Sequence, residues 1–191
     1  LLSDLQCVLF HFSFFSPLWM KYAIEKYDVK SVYDPCGGWG HRLLGAWNID
    51  YIYNDYDERT VDGCKKIWND FRDNASVKLF YNEDASIFTP EEDYECVFTC
   101  PPYFNKEKYT YDKYPKYDEW LNVWWKNLIR CSVKKNVKWF MFVISSKYKE
   151  DMKKICEDNG LKFIEENIVG SNKKSHFSTV INKEWLVILK K

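Results

Sequence analysis

The sequence predicts an α/β domain, three layers deep and doubly wound, around a mostly parallel sheet of seven strands whose last strand runs antiparallel. Three observations lead there. Short apolar strands alternate with amphipathic helical stretches from Ser31 to Gly160, the pattern of a parallel sheet covered on both faces. Trp139 to Ile144 is an unbroken apolar run, as expected of a parallel strand buried on both sides. The last two apolar stretches, Phe163 to Val169 and Glu184 to Leu189, follow each other with no helix between them. They read as a hairpin-like pair. A chain of 191 residues with 46% hydrophobic and 29% charged residues suits one globular domain, which usually spans roughly 100–200 residues.

Ser16-Pro17 reads as a helix start, a capping side chain followed by proline at the first helical position. The helix then runs from Leu18 to about Tyr27. Ser31-Val32-Tyr33 is the first strand and ends at Asp34-Pro35 and a glycine cluster, after which Arg42 to Trp47 looks helical. Tyr51-Ile52-Tyr53 is the second strand. Glu58 to Phe71 is a helix, with Val61, Cys64, Ile67, Trp68 and Phe71 on one face. Val77 to Phe80 and Cys96-Val97-Phe98 are the next strands, and Glu119 to Cys131 is a Trp-rich helix. Lys147 to Asn159 is a helix that Gly160 ends in the left-handed conformation.

In such sheets ligands bind in the crevice beyond the carboxyl ends of the strands. After the first strand stands Asp34-Pro35-Cys36-Gly37-Gly38-Trp39-Gly40, whose glycines permit a tight turn and a close backbone approach to a ligand. It is not the G-x-G-x-x-G of dinucleotide enzymes. After the second strand comes Asn54-Asp55-Tyr56-Asp57, with Asp55 lying 21 positions beyond Asp34, about the spacing at which an acid reaches ribose hydroxyls. Asp57 is the better helix cap, which leaves Asp55 for a ligand. After the third strand stands Glu83-Asp84-Ala85, where a carboxylate can accept a hydrogen bond from an adenine amine. After the fourth comes Cys100-Pro101-Pro102-Tyr103. Its prolines remove two amide donors and fix the backbone so that carbonyls point outward, and its tyrosine offers a flat ring for a flipped-out base.

Together these segments resemble the class I S-adenosylmethionine-dependent methyltransferases of the amino-methylating DNA type, which make N6-methyladenine or N4-methylcytosine. The resemblance runs from about Phe14 to Leu189, cofactor motifs first and catalytic motif second. It implies a Rossmann-like fold and S-adenosylmethionine as cofactor, held by the turn Asp34, Pro35, Cys36, Gly37, Gly38 and Gly40, by Asp55 and Tyr56, and by Asp84 and Ala85. Phe15-Ser16-Pro17 is similar to the family's segment closing over the methionine end, so residues 1–30 read as a closing segment, 31–99 as the cofactor half and 100–191 as the catalytic half. It implies catalysis at Cys100, Pro101, Pro102 and Tyr103, by direct attack of an exocyclic amine on the methyl group and without a metal. Cys100 departs from the family's Asp, Asn or Ser, and a thiol accepts hydrogen bonds poorly. An RNA base methyltransferase on the same fold and a cofactor-binding subunit without turnover are the alternatives.

Aromatics make up 19% of the chain, which fits either an aromatic core or stacking surfaces. Net charge is zero, yet residues 1–103 carry 9 Lys and Arg against 17 Asp and Glu, while residues 104–191 carry 19 against 11. Such asymmetry points to a basic binding face. Within the second half, Lys106, Lys108, Lys113 and Lys116 interleave with Tyr109, Tyr111, Tyr114 and Tyr117, and lysines neutralise phosphates while tyrosines stack on unpaired bases. Lys173 and Lys174 form a second basic stretch. Nucleic acid, DNA before RNA, is the expected partner. No separate target-recognition domain is evident, so specificity is expected from loops, a partner or a dimer. The seven cysteines form no C-x-x-C pair, which makes a reducing, cytoplasmic compartment the expectation. Val8 to Met20 is apolar but holds His11 and several serines and lacks a basic leader, so it reads neither as a signal peptide nor as a membrane span.

Overall fold

The computed structural model describes residues 15–71, 76–104, 116–134, 136–171 and 183–191. Seven strands form one sheet in the order β3-β2-β1-β4-β5-β7-β6. They are β1 (Ser31–Asp34), β2 (Asp50–Asn54), β3 (Lys78–Tyr81), β4 (Cys96–Thr99), β5 (Trp139–Ser145), β6 (Lys162–Ser171) and β7 (Lys183–Lys190). Every pairing is parallel except those of β7, which runs against both β5 and β6. The strand order reverses between β1 and β4, where Val32 pairs with Cys96 and Tyr33 with Val97. That is the switch point at which open α/β sheets bind ligands.

Alternation along each strand divides the core in two. One face carries α1 (Pro17–Tyr27), α2 (His41–Gly45) and α3 (Glu58–Phe71), packed through Met20, Ala23, Leu43, Val61 and Cys64 onto Phe98, Met141, Val143, Leu186 and Ile188. The other face is the aromatic one, where Trp120, Trp125, Leu128, Tyr148 and Met152 cover Tyr33, Val97, Phe140, Phe142 and Val187. β5 is buried from Phe140 to Ser145, as a central strand must be.

Helix boundaries follow local chemistry. Asp57 caps α3, its Oδ1 accepting the Arg59 amide at 3.0 Å. Pro17 opens α1, but the Ser16 side chain makes no capping bond. Its carbonyl instead accepts the Trp19 amide at 3.1 Å. The stretch read as helical from Arg42 to Trp47 is shorter, ending at Gly45. A Cβ at Gly45 would lie 2.4 Å from the Pro17 carbonyl oxygen, so glycine is what lets α1 and α2 touch. The Trp-rich helix is not continuous: α4 (Tyr117–Trp120) passes through a π-helical turn, Leu121–Trp125, into α5 (Lys126–Ser132). α6 (Lys149–Asp158) stops before Gly160, which has φ +86°. Among the described residues no helix is long and apolar enough to cross a membrane.

Candidate active site at the strand ends

The glycine turn is built on a buried ion pair. Asp34 closes β1 with no exposed surface. Its Oδ2 accepts hydrogen bonds from Arg42 Nε at 2.6 Å and from the Tyr51 hydroxyl at 2.6 Å, and its Oδ1 accepts the Cys36 amide at 3.2 Å. Arg42 also donates to the Cys36 carbonyl, and its guanidinium lies 5.8 Å from the centre of the Phe15 ring. Phe15 packs edge-on against Phe98 at 6.0 Å. A backbone turn is thereby fixed from below by side chains of α2 and β2, with Pro35 buried inside it.

Within the turn the glycines differ. A Cβ at Gly37 would stand 2.0 Å from the Tyr53 ring, whereas at Gly38, with φ +59°, it would meet nothing within 4 Å. Gly38 thus presents open backbone. Its carbonyl accepts the Tyr53 hydroxyl at 2.6 Å. Gly40, at φ +83°, begins α2 beside Cys64.

Asp55 faces this turn. Its Oδ2 accepts the Gly38 amide at 2.8 Å and its Oδ1 the Asp57 amide at 3.0 Å. The acid expected to be left for a ligand therefore also braces the turn, because Gly38 and Asp57 both offer amides that α2 and α3 do not use. Each carboxylate oxygen can accept a second bond, so the bracing does not exhaust it. Burial raises the Asp55 pKa against the opposing pull of those two amides. Tyr56 beside it is 66% exposed, an uncovered ring at the mouth of the crevice.

After β3, Asp84 Oδ1 accepts the Ser86 amide at 2.9 Å and the Ser86 hydroxyl at 2.6 Å. Asn127 of α5 donates to the carbonyls of Ala85 at 2.7 Å and Phe88 at 2.8 Å. The buried Ala85 and its turn thus stand where a crossover helix would otherwise be.

After β4, Pro101, Pro102 and Tyr103 are buried and Cys100 is half-buried. Tyr103 packs at 5.9 Å from Tyr148, and Phe104, Tyr117, Trp120 and Tyr148 extend the cluster with ring centres 5.6 to 6.1 Å apart. The ring expected as a platform for a base therefore sits within an aromatic stack. Burial pushes the Cys100 thiol up to about 11, with Arg42 opposing and Glu184 and Asp34 adding to the rise. Lys116 is exposed at the start of α4, whereas Lys106, Lys108, Tyr109, Tyr111, Lys113, Lys173 and Lys174 lie outside the described residues.

The structure thus brings the glycine turn, Asp55, Tyr56, Asp84, Ala85 and the tetrapeptide Cys100 to Tyr103 to the same end of the sheet. A cavity of about 330 Å³ flanks the turn between Trp39, Arg59, Gly63 and Ile67. Another, of about 430 Å³, opens at the opposite end among Ser31, Glu95 and Lys138, away from these groups. Sequence reasoning missed Arg42 and Asn127. Nothing local marks either, since their partners lie across a turn or on another element.

The sequence matches no protein-family model, and no curated protein matches it. The fold is nonetheless similar to solved methyltransferases. Magnesium protoporphyrin IX methyltransferase from Synechocystis, with bound S-adenosylmethionine, aligns with a TM-score of 0.62 at 12% identity over 92% of this chain and 76% of that one. An S-adenosylmethionine-dependent methyltransferase from Clostridium acetobutylicum aligns at 0.59 and 13% identity over 90% of each chain. A candidate RNA methyltransferase from Pyrococcus horikoshii aligns at 0.57 and 14% identity over 92% of this chain and 81% of that one. The chain has the class I methyltransferase fold.

Proposed function

We propose that this chain transfers a methyl group from S-adenosylmethionine to an exocyclic amine of a nucleic-acid base, with adenine N6 or cytosine N4 of DNA as the target. One observation carries the reading: the tetrapeptide Cys100-Pro101-Pro102-Tyr103 leaves β4 at the switch point, beside the open glycine turn that leaves β1. The residues present fit the cofactor. Gly38 leaves a cradle that any side chain would fill, Asp55 retains acceptor capacity for ribose hydroxyls, and Tyr56 offers an exposed ring for the adenine. In this reading Asp84 and Ala85 would meet the adenine edge, and Phe15 and Ser16 would cover the methionine end.

When bound, the cofactor supplies an electrophilic methyl carbon on a positively charged sulfur. The chain's part is alignment and exclusion of water, from which proximity alone yields much of the rate. The Pro101 carbonyl would accept an amine hydrogen, and Tyr103 would stack on the base once it moves out of contact with Tyr148. The Cys100 thiol, held near 11, is ionised to roughly one part in ten thousand at neutral pH. That favours direct transfer to nitrogen over a thiolate attacking a ring carbon. Target choice would come from loops or from a partner subunit, and the reading places the protein in the cytoplasm.

The test is tritiated methyl transfer to DNA and RNA panels followed by digestion to nucleosides. Labelled N6-methyladenosine or N4-methylcytidine in the deoxy series is the expected product. Label in ribonucleosides alone would assign RNA instead. Binding of S-adenosylhomocysteine with no transfer to either polymer would mark a subunit without turnover.

A further inference from the structure

The loop between β5 and α6 brings two lysines to the catalytic end of the sheet. The Ser146 amide donates to the Lys183 carbonyl at 2.9 Å, so the residue after β5 meets the residue that opens β7. The exposed Lys147 follows directly. Tyr148 then ties this loop to the catalytic segment. Its hydroxyl donates to the carbonyl of Phe104, one residue past Tyr103, at 3.1 Å, and its ring centre lies 5.9 Å from that of Tyr103. Lys147 Nζ lies 5.1 Å from the centre of the Tyr148 ring. The ammonium therefore stands one ring away from the proposed base platform. Lys183 alternates along β7 with Trp185 and Val187, onto the face that Tyr148 also covers.

The acids nearby are engaged elsewhere. Glu150 lies 3.2 Å from Lys149 Nζ, Asp151 accepts the Tyr117 hydroxyl at 2.6 Å, and Glu166 accepts Lys149 and Lys153. Glu184 alternates onto the opposite face with Leu186 and Ile188. Among the described residues no carboxylate forms an ion pair with Lys147 or Lys183. We infer that Lys147 and Lys183 hold the backbone phosphates on either side of the target nucleotide. The inference rests on the proposed transfer to a nucleic-acid base. Phosphate contacts set register and orientation without reading sequence, which suits a site whose target choice comes from loops or a partner. The face of the Tyr148 ring attracts the Lys147 ammonium, and the bond to Phe104 fixes that ring. The cation is thereby positioned against the tetrapeptide.

Fluorescence anisotropy with a labelled DNA duplex, repeated over a range of salt, tests this. Each duplex phosphate no longer neutralised flattens the salt slope by about 0.9. Lys147→Gln and Lys183→Gln should each flatten it by that amount, and the double variant by twice as much. Lys147→Arg should keep the parental slope, because a guanidinium also pairs with phosphate. Lys162→Gln is the charge-matched control, since Lys162 is exposed at the start of β6, at the opposite end of the sheet. Its slope should be parental. In methyl transfer, Lys147→Gln and Lys183→Gln should raise KM for DNA by a larger factor than they lower kcat, because the phosphates are held alike before and during transfer. A parental slope in the double variant, or an equal flattening in Lys162→Gln, would overturn the assignment. A parent that binds no DNA would instead overturn the substrate reading on which it rests.

Discussion

Asp55 braces the glycine turn and is proposed to hold the ribose as well. Burial raises its pKa above the ordinary carboxylate value of 3.8, while the Gly38 and Asp57 amides pull the other way. Ribose hydroxyls donate best to the anion. Affinity for S-adenosylhomocysteine should therefore be full above the raised value and weaken as pH falls through it. Calorimetry across that range checks it, with Asp55→Asn expected to bind more weakly and without the acid limb. Stability has the opposite sign. An acid whose folded pKa is raised costs stability once ionised, a cost absent below the unfolded value and complete above the folded one. Asp55 is legible in the sequence because its spacing from Asp34 sits within one β-α-β unit. Arg42 is not, since a single cation in a short apolar stretch reads as surface. Its partner Asp34 lies eight residues back across a turn, a separation that no helical pattern marks.

At the scale of elements, strands are more legible than helices. All seven fall on stretches that the sequence marks as strands, and the antiparallel β7 is legible because the sequence shows no helical pattern between the last two of them. The Trp-rich helix is legible only in part. Trp120 and Trp125 are both buried, five residues apart, an interval that suits a π turn better than the three- or four-residue steps of an α-helix. The turn keeps both indoles on the aromatic face, where Trp120 meets Phe104, Tyr117 and Tyr148. Trp120→Ala should cost about 3–5 kcal/mol in urea unfolding, the usual range for emptying a buried aromatic site. The same variant should loosen the packing that holds Tyr148 against Tyr103, so methyl transfer should fall by more than the folded fraction does. A loss of activity matching the loss of folded protein would mean that the aromatic cluster only stabilises.

At the scale of the molecule, the two sequence halves become two sides of one sheet. Strands of the acidic segment lie in the order β3-β2-β1-β4, and strands of the basic segment form the adjoining set β5-β7-β6. The tetrapeptide leaves β4 at the boundary between the two sets, and ion pairs cross it, Lys26 with Glu165 and Lys138 with Glu95. Lys106, Lys108, Lys113 and Lys116 fall in the segment that links the tetrapeptide to α4. If they neutralise phosphates, replacing all four with Gln should weaken DNA binding to a similar degree across sequences. It should also flatten the dependence on salt, by about 0.9 in slope for each duplex phosphate no longer neutralised. Replacing Tyr109 and Tyr111 should instead weaken binding to single strands with little change in slope, because stacking releases no counterions. Affinity for S-adenosylhomocysteine should be unchanged in both variants, since the glycine turn and Asp55 lie on the acidic side. Fluorescence anisotropy at several salt concentrations separates these outcomes. A four-Gln variant with the parental slope would place the phosphate-binding cations elsewhere and leave the basic half without its proposed role.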